Sequence, residues 1–109
     1  MKISELADLL EANVMTGSDY EDREVTGCYI GDLLSWVMGR AKEGDVWITI
    51  MTNINVIGVA VLADVACVLI PEGTPIEETT IEKAQQQDVI MLSCQKSAYE
   101  CAKILAPRL

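Results

Sequence analysis

The sequence predicts a single α/β domain over residues 1–109: a mostly parallel sheet of about four to five strands with helices on both faces. Three observations carry this. Short apolar runs alternate with helical segments across brief links, the pattern of successive βαβ units. The runs are apolar at nearly every position, as strands buried on both faces are. The chain has 109 residues, half of them apolar, which is enough for one core and too little for two domains. With no Phe and only two Trp and three Tyr, that core must be built mainly from Val, Ile, Leu, Met and Ala.

Taken in order, Ile3, Leu6, Leu9 and Leu10 share one helical face and Ser4 can cap the first turn, so an amphipathic helix begins the fold. Asn13 to Thr16 reads as a strand. The polar, acidic segment Gly17 to Glu24 reads as an exposed, mobile loop. Val25 to Ile30 is a short extended piece closed by Gly31, and Asp32 is placed to N-cap the next helix. That helix carries Leu33, Leu34, Trp36, Val37, Met38 and Ala41, so it is apolar around more than half its circumference and needs cover on two sides. Gly39 weakens its last turn and Lys42-Glu43-Gly44 ends it.

Asp45 to Ile50 is the next strand, and Asn53 is a good N-cap for a helix running to about Leu62. Ala63-Asp64 supplies an exposed turn, Val65 to Ile70 is a β-branched buried strand, and Pro71-Glu72-Gly73 stops it. Thr74 with Glu77, and Thr79 with Glu82, both have the spacing of capping boxes for a helix ending near Gln87. Val89 to Leu92 is a further buried strand, and the last helix lies within Ser93 to Leu105.

Composition narrows the function. The net charge of −9 repels nucleic-acid phosphates and anionic membranes, and the eight Lys and Arg form no run. The longest apolar stretch, Val56 to Ile70, is interrupted by Gly58 and Asp64 and is too short to span a bilayer. The N-terminus lacks a basic start followed by an apolar run, so a cytoplasmic location is expected. Cys28, Cys67, Cys94 and Cys101 form no close pair, which argues against a structural zinc site and for buried, reduced thiols. No cofactor is expected. The absence of histidine removes the commonest acid–base group at neutral pH, and no catalytic constellation is visible.

The best candidate site is the polar junction between the Trp47–Ile50 strand and the helix that follows. Open α/β sheets bind ligands beyond the carboxyl ends of their strands, where helix N-termini present free N–H groups. Thr49, Thr52, Asn53 and Asn55 lie there; Gly27, Gly31 and Asp32 are candidates for a second wall. Against this stands the plainer reading, in which Asn53 and Asp32 only cap helices. Trp36 is the candidate for a dimer interface, whereas Trp47 reads as a core or interface anchor.

The chain resembles the DRTGG domain family, in its stand-alone form and as the N-terminal domain of HPr kinase/phosphorylase. The resemblance rests on Thr26-Gly27-Cys28-Tyr29-Ile30-Gly31-Asp32-Leu33-Leu34-Ser35, on Val46 to Ile50 followed by Asn53 to Val56, on Leu69 to Gly73 with Glu78 to Ala84, and on Val89 to Ser93. Arg23 to Gly27 is a loose echo of the string that names the family. The resemblance implies a regulatory or sensor domain that dimerises and in some relatives accompanies nucleotide-binding CBS modules. It does not imply a kinase, because the chain holds no Gly-x-x-x-x-Gly-Lys-Ser/Thr phosphate loop.

Two functions follow as expectations. One is a homodimeric regulatory domain that binds a nucleotide or phosphorylated metabolite at the strand ends. The other is a structural adaptor whose apolar helices contact a partner protein and whose turn holds nothing. A redox or metal role for Cys94 and Cys101 is the weakest alternative.

Overall fold

The computed structural model describes residues Met1 to Leu109. Its elements are α1 (Ile3–Leu10), β1 (Asn13–Val14), β2 (Gly27–Ile30), α2 (Leu34–Arg40), β3 (Asp45–Ile48), α3 (Asn55–Ala63), β4 (Cys67–Ile70), α4 (Glu78–Gln86), β5 (Met91–Ser93) and α5 (Ala98–Leu105), followed by a 3₁₀ turn at Ala106–Arg108. One five-stranded sheet has the order β1-β5-β4-β3-β2. The strands β2 to β5 are parallel, with Cys28 beside Val46, Val46 beside Cys67 and Val68 beside Met91. Only β1 runs antiparallel, against β5. The predicted α/β class is thus the fold observed.

The alternation of side chains along each strand divides the core into two layers. Val46, Ile48, Cys67, Leu69 and Leu92 pack with Ile3, Leu6 and Leu10 of α1 and Cys101 and Leu105 of α5. Trp47, Val68, Ile70 and Met91 pack on the other face with Val37 of α2, Val56, Ile57 and Ala60 of α3, and Ala84 of α4. The three crossover helices therefore share one face. Both central strands, β3 and β4, are buried throughout, which is why they read as unbroken apolar runs.

Several helix starts differ from expectation. Ser4 lies inside α1, whose N-cap is Lys2; the Ser4 backbone N–H and hydroxyl both donate to the Asp22 carboxylate, at 2.9 and 2.5 Å. A residue 18 positions away thus does the work assigned to a local cap. The N-cap of α2 is Leu33, because Asp32 turns its carboxylate toward β3 instead. Asn53 accepts from the Asn55 N–H one position ahead of the Ile54 N-cap of α3. Neither proposed capping box forms on α4: its N-cap, Glu77, makes no side-chain cap, and Thr74 donates back to the Pro71 carbonyl. The one serine box in the fold is at α5, where Ser97 and Glu100 satisfy each other's backbone N–H groups.

The loop expected to be mobile is tied down over its second half. Arg23 donates to the Asp64 carboxylate, the Asp64 carbonyl and the Val65 carbonyl at 3.1 to 3.2 Å. Its own carbonyl accepts from the Ile3 N–H, and Lys2 and Glu24 form a bridge. Asp64 lies at the expected exposed turn, in the left-handed conformation that ends α3. No helix is long and apolar enough to cross a membrane.

Candidate functional site

The carboxyl ends of β2 and β3 meet the turns that lead into α2 and α3. Thr49 is 2% exposed, and its hydroxyl donates to Asp32 Oδ1 at 2.8 Å while accepting from the Met51 N–H at 3.1 Å. Asp32 Oδ1 also accepts from the Ile50 N–H at 3.0 Å. Beneath this, the Trp47 indole Nε1 donates to the Gly31 carbonyl at 2.9 Å. The two turns are therefore cross-linked by side chains, and Asp32 Oδ2 is left without a partner in the chain.

Backbone donors are also free in the same two turns. The N–H groups of Thr52, Asn53 and Ile54, and those of Leu33, Leu34 and Ser35, make no intramolecular hydrogen bond. The next donors of α3 are already used: Asn55 N–H by the Asn53 side chain, Val56 N–H by the Asn53 carbonyl and Ile57 N–H by the Ile54 carbonyl. Ile30, Leu33, Ile50 and Ile54, about half exposed, form an apolar rim. The place combines unpaired N–H donors, one carboxylate acceptor and apolar surface, which suits a ligand with both polar and flat apolar parts.

Of the residues singled out from sequence, Thr49, Thr52, Asn53, Asn55, Gly31 and Asp32 come together at this end of the sheet. Gly27 does not. It begins β2 at the opposite end, where a Cβ would lie 2.5 Å from the Asp45 carboxylate, so its place is set by Asp45. Gly31 is held by packing too, since a Cβ would touch the Tyr29 ring at 3.0 Å. Trp36 is exposed, with the Arg40 guanidinium 3.9 Å above its ring, while Trp47 is fully buried.

Sequence reading missed two clefts at the amino ends of the strands. One of about 630 Å³ is lined by Thr16, Asp19, Tyr20, Arg23, Gln85 and Asp88 among others, and one of about 610 Å³ by Lys2, Asp22, Glu24 and Glu43 with their neighbours. The signal was the acidic run from Asp19 to Glu24, whose partners are distant in sequence. Their carboxylates disfavour phosphate, and the Arg23 guanidinium is already committed to the Asp64 corner. By charge, these clefts are poorer anion sites than the strand-end turns.

Cys67, Cys94 and Cys101 are buried as expected, whereas Cys28, expected to be buried, is exposed because its side chain lies on the outer edge strand β2. Desolvation, and secondarily the Asp45 charge, pushes Cys28 up to about 11, and burial pushes Cys67 and Cys101 up to about 12. Cys94 and Cys101 sulfurs lie 3.9 Å apart, and Cys94 donates to the Leu10 carbonyl. No three His, Cys, Asp or Glu residues are grouped so as to hold a metal ion.

The DRTGG domain family model matches residues 5–107. The chain belongs to the DRTGG domain family. No curated protein matches it significantly. Among solved structures, this DRTGG domain is similar to the CBS and DRTGG domains of the regulatory region of Clostridium perfringens pyrophosphatase, complexed with the activator diadenosine tetraphosphate. The likeness has a TM-score of 0.73 at 11% identity and covers 94% of this chain but 45% of that one. At that identity it establishes the fold. The DRTGG domain described here thus spans less than half of the regulatory region it resembles.

Proposed function

We propose that this DRTGG domain is a non-catalytic regulatory module that binds a nucleotide or phosphorylated metabolite at the carboxyl ends of β2 and β3. It acts on its surroundings through homodimer or partner contacts. The observation that carries the reading is the pairing of Asp32, fixed by Thr49 and Ile50 with one oxygen free, with the unpaired N–H groups of Thr52, Asn53 and Ile54. Free backbone donors suit phosphate oxygens, and a carboxylate suits a ribose hydroxyl or base amine rather than phosphate. The pyrophosphatase regulatory region with its diadenosine tetraphosphate activator supports a nucleotide as the first ligand class to try.

Thermal denaturation against a panel of mono- and dinucleotides, diadenosine polyphosphates and sugar phosphates tests it. A ligand at about 100 times its Kd adds about 2.7 kcal/mol and raises Tm by several degrees. A shift that disappears in Asp32→Ala supports the site. No shift with any compound at millimolar concentration, or a shift indifferent to Asp32→Ala, sinks it.

A second reading, a structural adaptor, is favoured by one specific observation. The first-turn donors of α3 at Asn55, Val56 and Ile57 are satisfied within the chain, as a turn that holds nothing requires. Capture of a defined partner that survives both Thr49→Ala and Asn53→Ala would support it.

A further inference from the structure

The fold keeps two of the four cysteines apart and brings two together. Cys28 on β2 and Cys67 on β4 are both in register with Val46 of the strand between them, so roughly 9 to 10 Å of sheet separates them, too far for a disulfide. Cys94 is bonded to Ile70 at the far end of β4, about 10 Å along the strand from Cys67. By contrast, Cys94 and Cys101 touch, sulfur to sulfur at 3.9 Å.

The two thiols differ in how firmly they are held. The Cys94 N–H donates to the Ile70 carbonyl, its carbonyl accepts from the Gly73 N–H, and its thiol donates to the carbonyl of Leu10, the last residue of α1. It is fixed on three sides. Cys101 belongs to α5, a helix of eight residues in which only Cys101 and Leu105 are buried. A helix that short is not stable by itself, and one seated on two side chains opens at far less cost than the sheet beneath it.

While α5 is seated, Cys94 is 2% exposed, Cys101 is fully covered, and burial pushes the Cys101 thiol up to about 12. When the helix lifts, both sulfurs meet water and the Cys101 thiol regains its ordinary acidity. The Ser97–Glu100 capping box, directly before Cys101, restores the same first turn each time the helix reseats. The sulfurs then stand about 2 Å beyond bonding distance, a gap that side-chain rotation closes.

We propose that Cys94 and Cys101 are a modification site, a thiol pair that a hydroperoxide oxidises to a disulfide, tying α5 to the end of β5. In the lifted state one thiolate attacks the peroxide, whose O–O bond breaks to leave a sulfenic acid on the protein and an alcohol or water. On reseating, the second sulfur attacks the sulfenic sulfur, the S–O bond breaks, and the hydroxyl departs as water with the second thiol's proton. Two thiols thus lose two electrons and two protons, and the hydroperoxide takes up both. The bond also removes the S–H that serves the Leu10 carbonyl, so oxidation trades a contact with α1 for a covalent tie to α5. None of this depends on a ligand at the strand ends.

Hydrogen peroxide applied to the folded full chain, followed by intact mass and tryptic mapping without reductant, is the test. The expected product is lighter by two hydrogens, and because Lys96 lies between the cysteines, peptide 84–96 should appear joined to peptide 97–103 until dithiothreitol separates them. Amide exchange of α5 should slow on the order of tenfold or more in the oxidised chain, while β3 and β4 are unchanged. Cys101→Ser should stop at a sulfenic acid on Cys94 that dimedone traps, and the wild-type map decides the matter should that variant fail to fold. The proposal is overturned by peroxide that leaves both thiols free, by sulfinic acid without the cross-link, or by a cross-link that forms no faster than β4 amides exchange through global unfolding.

Discussion

Asp32 and Thr49, 17 residues apart, join the ends of two neighbouring parallel strands through a 2.8 Å hydrogen bond. The threonine hydroxyl both donates and accepts while almost fully buried, so its removal strands the Met51 N–H and leaves Asp32 Oδ1 with the Ile50 N–H alone. Thr49→Val, which keeps the shape, should cost about 1 to 3 kcal/mol by urea denaturation. Asp32→Asn retains an acceptor and should cost less. Equal losses for the two would contradict this account of the turn.

The Asp22 carboxyl is held below its ordinary 3.8, first by the Ser4 hydroxyl and then by the Ser4 backbone N–H. A depressed carboxyl stabilises the fold fully above the unfolded-state value, and that contribution is lost as pH falls through the lower folded value. Ser4→Ala should therefore cost roughly 0.5 to 1 kcal/mol at pH 7, kept small by solvent screening of an exposed carboxylate. The penalty should fade as pH falls below the ordinary 3.8. Stability measured across pH 2 to 7, roughly the range in which carboxyls titrate, checks both sign and window.

Cys67 behaves oppositely, because burial raises its thiol from 9.0 to about 12. Its contribution is complete below pH 9 and disappears as pH rises toward 12, since ionisation favours the unfolded chain. Cys67→Val should flatten the alkaline limb of the stability curve. In the native protein Cys28 should react first with iodoacetamide, slowly at neutral pH and faster as pH approaches 11, and the other three only on unfolding.

Two glycines should respond with opposite signs. At Gly44, φ is +83° and a Cβ would lie 2.5 Å from Thr26 Oγ1, so Gly44→Ala should destabilise by about 1 to 3 kcal/mol. Gly39 is helical with nothing within 4 Å of a Cβ, so Gly39→Ala should stabilise by about 0.5 to 1 kcal/mol. Thermal denaturation of both variants separates backbone strain from backbone entropy.

Much of the fold was legible because burial writes itself into strands such as Asp45–Ile48 and Cys67–Ile70, and because short links leave parallel crossovers as the natural topology. The helix caps were less legible. Ser4 and Asp32 are good cap residues by type, but each found a stronger partner across the fold, in Asp22 and Thr49, which no local window contains. Gly27 and Gly31 look alike four residues apart, yet a strand carries them to opposite ends of the sheet. The junction at Thr49 to Asn55 was found because sheet geometry fixes where strands end. Its link to Asp32 depended on the register of β2 against β3, which the sequence does not spell out.

Arg23 does more than pin a loop. Its grip on Asp64 and Val65 fastens the far end of α3, a helix that begins at the Asp32–Thr49 turns and runs about 14 Å across the sheet. The other end of the rod is held as well, by the bonded N–H groups of Asn55, Val56 and Ile57 and by the burial of Val56 and Ile57 against the sheet. The helix is thus clasped at both ends, and losing the guanidinium frees only the end remote from the candidate site.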